Sequence, residues 1–198
     1  MIRVGVCGGI GSGKSEACRV LARLGVPVYA ADDRAKDLMR QQPLLGQLQA
    51  AFGDCFDGEE LNRKRLAERV FGDTAELQRL NDIVHPSVRN DFRAWCDNQN
   101  ADYVVLESAI LFDASFDTEV DISVGIMAPV PMRVKRIVER DGCSEEQARQ
   151  RIAVQMSDDE IANRATVTIV NIAMEDFVRD IEELNGRIRQ RAAHQSKQ

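Results

Sequence analysis

No run of about 18 apolar residues occurs in this chain, so nothing in it reads as a membrane-spanning helix. Excess basic charge is missing too. The 26 Lys and Arg are outnumbered by 32 Asp and Glu, for a net charge of −6. Phosphate backbones attract basic surfaces, so a nucleic-acid partner is not expected and any basic site must be local. Metal-binding side chains are sparse. The two histidines and five cysteines (Cys7, Cys18, Cys55, Cys96, Cys143) form no C-x-x-C pair, which argues against a zinc site. An odd, scattered set of cysteines reads as reduced thiols of a cytosolic protein. Met1 is followed at once by a strand pattern rather than by a basic and then apolar leader, so a cytoplasmic location is expected. Internal repeats are absent, and the only biased stretch is a polar tail from about Ala192. With 198 residues and 44% hydrophobic content, the chain can bury one good core and a small appendage.

Against these absences stands Gly8-Gly9-Ile10-Gly11-Ser12-Gly13-Lys14-Ser15, a G-x-x-x-x-G-K-S string. Ile2, Val4 and Val6 alternate before it as a strand. Ala17, Val20, Leu21 and Leu24 follow at helical spacing. Glycines let such a loop turn tightly and aim several N–H groups at one point. The first turn of the following helix adds unpaired N–H groups and a positive dipole end. The result is an anion site sized for a nucleotide β-phosphate. Gly11, Ser12, Gly13, Lys14, Ser15 and Glu16 are therefore the expected ATP-binding residues. Lys14 would reach the β- and γ-phosphates, and the Ser15 hydroxyl would bind Mg²⁺.

Gly25 ends the first helix. Val26 to Tyr29 reads as a short strand, with Pro27 placing it at an edge or only beginning it. Asp32 and Asp33 follow, at the strand end where parallel α/β sheets bind ligands. The plainer alternative for Asp32 is an N-cap on the next helix, Arg34 to Arg40. From Asp32 to about Asn100 only helices are expected. Their apolar stripes include Leu44, Leu45, Leu48 and Phe52, then Leu61, Leu66 and Val70. A long stripe then runs from Leu77 to Trp95, and His85-Pro86 should kink or break it. A βαβ crossover needs far less chain, so this stretch reads as a helical insertion holding a second substrate.

Tyr103 to Leu106 is an unbroken apolar strand ending at Glu107, which reads either as an acid that orders Mg²⁺ and its water, as a Walker B acid does, or as a plain surface acid after a strand. Val120 to Met127 and Val167 to Val170 complete five strands, and Phe177, Ile181, Leu184 and Ile188 stripe a final helix. Between the last two strands, a helix from Pro129 to Arg140 and a second opened by the Ser144/Gln147 capping box form a natural lid. Arg133, Arg136 and Arg140 share one helical face. Acidic neighbours make a solvated face the plain reading of each. Arg140, at the turn between the helices, is the expected contact to the transferring phosphate.

Taken together, these motifs resemble the dephospho-coenzyme A kinase family over roughly residues 1 to 190. The resemblance rests on the phosphate loop, Ala31-Asp32, Leu61-Asn62-Arg63 with Leu66 and Val70-Phe71, Leu80, and His85-Pro86. It continues through Leu111-Phe112, Arg136, Arg140-Asp141, Arg151 with Gln155, and Asn171. It implies an α/β fold of the P-loop kinase type, with a five-stranded parallel sheet flanked by helices, a helical substrate-binding insertion and a helical lid. The nucleotide-binding core would comprise 1–31, 101–135 and 160–198, the coenzyme A domain 32–100, and the lid 136–159. The implied reaction moves the γ-phosphate of ATP, with Mg²⁺, to the ribose 3′-hydroxyl of dephospho-coenzyme A. Asp32, Lys14 and Arg140 would be catalytic, and Asp32, Arg63 and His85 would bind the acceptor. No nucleic acid, membrane or obligate protein partner is implied. Ala30 stands where the family commonly has the first Asp of a pair, so Asp32 alone can meet the hydroxyl. Glu16 replaces a frequent Thr near the α-phosphate, Asn62 and Thr166 frequent Asp residues, and Ala109 a frequent Pro. Another small-molecule or nucleoside monophosphate kinase is the alternative, although the D-G-F/Y-P-R segment of adenylate kinases is absent. A nucleotide switch would need N-K-x-D and D-x-x-G, and neither occurs.

Overall fold

Alternating apolar residues in the first strand and the runs of Val, Ile and Leu in the later ones build a sheet covered on both faces. In the computed structural model, which describes residues 1–195, β1 (Ile2–Cys7), β2 (Val28–Ala30), β5 (Tyr103–Glu107), β6 (Ile122–Met127) and β7 (Val167–Val170) form one parallel sheet. Its order is β2-β5-β1-β6-β7, which puts the phosphate-loop strand in the middle. The described residues fall into two compact units. One holds residues 1–30 and the chain from Gln99 onward, and the other holds 31–98.

In the first unit, α1 (Lys14–Arg23) and α9 (Met174–Gln195) cover one sheet face. Val4, Val6, Val105, Val124 and Ile126 meet Leu21, Phe177, Ile181 and Ile188 in one buried cluster. Burying each such side chain is worth about 1.5–3 kcal/mol. Gly25 follows α1 with φ +80, the left-handed C′ position expected of it. β2 starts just past Pro27, at the sheet edge, where a missing N–H costs nothing. The polar tail from Ala192 continues α9 as far as Gln195, and its last three residues lie outside the described residues.

The second unit is α2 (Ala31–Leu38), α3 (Leu44–Phe52), a two-residue hairpin of β3 (Phe56–Asp57) and β4 (Glu60–Leu61), α4 (Arg63–Val70) and α5 (Thr74–Asp97). Three expectations need correction here. The first helix begins at Ala31 rather than Arg34, so Asp32 and Asp33 occupy its first turn and favour its positive end instead of capping it. The hairpin appears where no strand was expected, because two-residue strands are too short to show a period. Gly58 supplies its φ of +66. Finally, of the kink or break expected at His85-Pro86, the break does not occur, and α5 continues as helix through Pro86. Proline in a helix costs about 3 kcal/mol, but Pro86 sits on the exposed side while Val84, Val88, Phe92 and Cys96 are buried beneath it. That burial outweighs one lost hydrogen bond. Asn62, in place of a frequent Asp, N-caps α4 by accepting from the Arg65 N–H.

Between β6 and β7 lie three helices rather than two: α6 (Val130–Asp141), α7 (Glu145–Ala153) and α8 (Asp158–Arg164). The capping box at Ser144/Gln147 opens α7 as expected. A second box, Ser157/Glu160, opens α8. At seven residues, α8 is too short to show an apolar stripe. Thr166, another departure from the family pattern, pairs with Ser123 through both side chain and backbone and so ties β7 to β6.

Candidate active site

The chain leaves β1 at Cys7, turns through Gly8–Gly13 and enters α1 at Lys14. The turn is closed by Ser12 N–H donating to Gly9 O at 3.1 Å, and the Glu16 and Ala17 N–H groups donate to Gly13 O. Gly13 has φ +103, and a Cβ there would overlap the Asn171 side chain, so glycine is required twice over. This is the nest of backbone N–H groups at a helix start that holds phosphate.

Parallel pairing brings the acid of β5 to this loop. Val6 is in register with Glu107, and Ser108 N–H donates to Val6 O. Lys14 Nζ donates to Glu107 Oε1 at 2.7 Å, and Ser15 Oγ donates to the same oxygen at 2.8 Å. The Lys14 and Glu107 side chains are only 13% and 15% exposed, so this charge-assisted bond is little screened. A hydroxyl and a carboxylate side by side are hard oxygen donors. They suit Mg²⁺, which takes one or two protein oxygens and completes its shell with phosphates and water. Beneath the loop, burial pushes the Cys7 thiol up to about 12 despite the Lys14 charge. Burial, and then Glu107, raises the Cys18 thiol as well. Both are protonated thiols and not nucleophiles.

Side chains from later elements clamp the loop. Asn171, just past β7, donates from its backbone to Met127 O at 2.7 Å and from Nδ2 to Ser12 O at 2.9 Å. Arg136 on α6 donates to Gly11 O at 3.1 Å and to Asn171 Oδ1 at 3.2 Å. Arg133, whose sequence neighbours suggest a solvated face, is buried against the loop. The residue missed altogether is Asp158, which pairs with Arg133. Its sequence signal is the Ser157-x-x-Glu160 capping box, which announces a helix start there.

The remaining expected residues are placed as follows. Glu16 carries no bare charge, because Arg19 lies at 2.8 Å and Arg23 at 3.8 Å. Arg140 is 60% exposed and donates through Nε and Nη2 to both oxygens of Asp141, which also accepts from Arg151. The Arg140 bonds hold the Asp141 carboxyl below the usual range, with both arginine charges adding. Arg140 thus pairs within its own segment and not with the phosphate loop. Asp32 is exposed in the first turn of α2, two residues past Ala30, the register partner of Glu107. Arg63 is exposed at the start of α4. His85 is half-buried on α5, where burial and then the Arg89 charge lower its pKa.

The chain matches known proteins over nearly its whole length. The dephospho-CoA kinase family model matches residues 2–176. The dephospho-CoA kinase of Bacteroides fragilis is 39% identical over 186 residues, covering 92% of this chain and 91% of that protein. The dephospho-CoA kinase of Porphyromonas gingivalis is 40% identical over 174 residues, covering 86% of each. Among solved structures, TT1252 from Thermus thermophilus superposes with a TM-score of 0.84 at 30% identity, covering 94% of this chain and 97% of that one. A phosphate loop closed on a strand-end acid is common to many kinases, but a match of this length and depth to one family is not, and on that ground the chain belongs to the dephospho-CoA kinase family.

Proposed function

We propose that this chain uses Lys14, Ser15, Glu107 and Asp32 to move the γ-phosphate of ATP to the ribose 3′-hydroxyl of dephospho-coenzyme A, the final step of coenzyme A biosynthesis. The observation that carries this reading is the convergence of Lys14 and Ser15 on one oxygen of Glu107, at the mouth of a formed phosphate loop. P-loop kinases use ATP with a divalent metal, and Ser15 with Glu107 is the donor pair that would hold Mg²⁺. The ion, when bound, neutralises charge on the β- and γ-phosphates. Backbone N–H groups of Gly11, Gly13, Lys14 and Ser15 hold the β-phosphate. Lys14 leaves Glu107 to follow the charge that builds on the transferring group. Asp32 accepts the hydrogen bond of the 3′-hydroxyl, aims it in line and takes its proton late in a loose transition state. The new bond forms from the 3′-oxygen to phosphorus as the bond to the β–γ bridging oxygen breaks, leaving ADP.

In this reading, residues 32–100 hold the acceptor, with Arg63 and His85 among its contacts, and 136–159 close as a lid that brings Arg140 to the transferring phosphate. The net charge of −6 supports small-molecule substrates over nucleic acid. The odd, scattered cysteines support a cytoplasmic setting. Among the described residues, no helix is long and apolar enough to cross a membrane. The test is a panel of hydroxyl acceptors, namely dephospho-coenzyme A, nucleoside monophosphates, shikimate and gluconate, each incubated with Mg-ATP and read by product mass. Phosphorylation of dephospho-coenzyme A far above the others is expected. Preference for any other acceptor would overturn the assignment.

A further inference from the structure

Ile10, in the phosphate loop, is gripped at every group it has. Its N–H donates to Gln155 Oε1 at 2.7 Å. Its carbonyl accepts from Arg133 Nε at 2.9 Å. Its side chain packs against the small apolar cluster of Val134, Ile137 and Ala148 on α6 and α7. All three holds come from the segment between β6 and β7.

Arg133 is the unusual member. It is only 2% exposed, and its Nη1 donates to Asp158 Oδ1 at 3.0 Å at the start of α8. Its Nη2 is buried with no partner among the described residues. The fit is close, because a Cβ at Gly9 would overlap this guanidinium and one at Gly11 would crowd the Arg133 backbone. Burying an arginine with one carboxylate and one carbonyl is expensive, and an apolar side chain of similar volume often serves stability as well or better. Mere attachment of α6 to the loop therefore does not account for a charged fork here. A fork does account for it if its purpose is geometry, since it fixes a loop carbonyl and an α8 carboxylate in one plane.

We infer that Arg133, oriented by Asp158 and assisted by Gln155, is a positioning residue for phosphoryl transfer. It holds Ile10 so that the loop presents its phosphates to Lys14 in the reactive geometry. The inference rests on the phosphoryl-transfer reading above, and it makes α8 part of the catalytic support. Misplacement of reacting groups by about 1 Å costs on the order of 10²-fold in rate.

The experiment compares Arg133→Met, Asp158→Asn and the exposed control Asp159→Asn with the wild-type chain. Three quantities are measured: kcat and the KM for ATP, the melting temperature, and backbone hydrogen exchange over Gly8–Lys14. For Arg133→Met, kcat should fall by roughly 10–10²-fold, with little change in KM or melting temperature and with faster exchange in the loop. Asp158→Asn should move the same quantities in the same direction by less, and Asp159→Asn should move none. Wild-type kcat in Arg133→Met, or a fall in kcat that only tracks a lower melting temperature, would overturn the inference. If Arg133→Met fails to fold, Asp158→Asn decides, since its side chain is partly solvated. Hydrogen exchange keeps the two claims apart. Unchanged loop exchange overturns the positioning role whatever the acceptor is, whereas a wild-type chain inactive on dephospho-coenzyme A overturns the functional reading alone.

Discussion

Lys14 and Ser15 both donate to Glu107 Oε1, so one carboxylate oxygen gathers two groups that phosphate chemistry needs. At the residue scale Lys14 and Ser15 are legible in the sequence for local reasons, because the loop string sets both. Glu107 is legible only in part, because an acid at the end of a buried strand reads equally as a Mg²⁺ acid and as a surface acid. Arg133 is not legible in the same way, because its spacing with Arg136 and Arg140 among acids reads as a solvated face. Its burial depends on Ile10, 123 positions away in the chain. Asp32 carries the sharpest prediction at this scale. Asp32→Asn keeps the size of the side chain but removes its basicity. Calorimetry should show near-wild-type affinity for ATP and dephospho-coenzyme A, while the single-turnover rate falls by about 10²–10⁴, the range of general acid–base contributions. Asp33→Asn should change little, since Asp33 pairs with Lys36 one turn on. The reverse pattern would move the acceptor site by one residue. Arg140→Ala should lower kcat more than it raises the KM for ATP, as expected for a contact made mainly in the transition state. It begins paired with Asp141, so part of its transition-state gain is offset by leaving that partner. A pure KM effect would reduce Arg140 to ground-state binding.

Elements differ in how plainly the sequence announces them. The α7 start is announced by a capping box, and the box is present with both bonds formed, Gln147 N–H to Ser144 Oγ at 3.2 Å and Ser144 N–H to Gln147 Oε1 at 3.0 Å. The α8 start carries the same signal, but too few residues follow for a period to emerge. Helix α5 shows the opposite case, in which a strong local breaker, Pro86, loses to buried contacts on the other side of the helix. The β3–β4 hairpin is set by Gly58 and by packing rather than by strand propensity. A cap's worth can be measured directly on α7. Ser144→Ala should cost about 1 kcal/mol. The loss should appear as faster hydrogen exchange confined to Glu145–Ala153, with β1 and β5 unchanged. Equal protection in the mutant would mean that packing around Ala148 alone sets the α7 start.

At the scale of the whole molecule, strand order does the functional work. With β1 central, β5 on one side and β6 and β7 on the other, Glu107 at the end of β5 and Asn171 just past β7 reach the phosphate loop from the C-terminal ends of their strands. Five strands in parallel order follow from the alternation of apolar runs and helical stripes. The identity of the acceptor does not follow from the sheet, which many kinases share. It comes from the depth of the family match. The most direct test is the phosphorus NMR spectrum of the complete reaction of the wild-type chain with Mg-ATP and dephospho-coenzyme A. A single new phosphomonoester at the ribose 3′ position, growing in step with ADP, is the result predicted. ADP formed without that resonance, or phosphate appearing at any other position, would contradict the account.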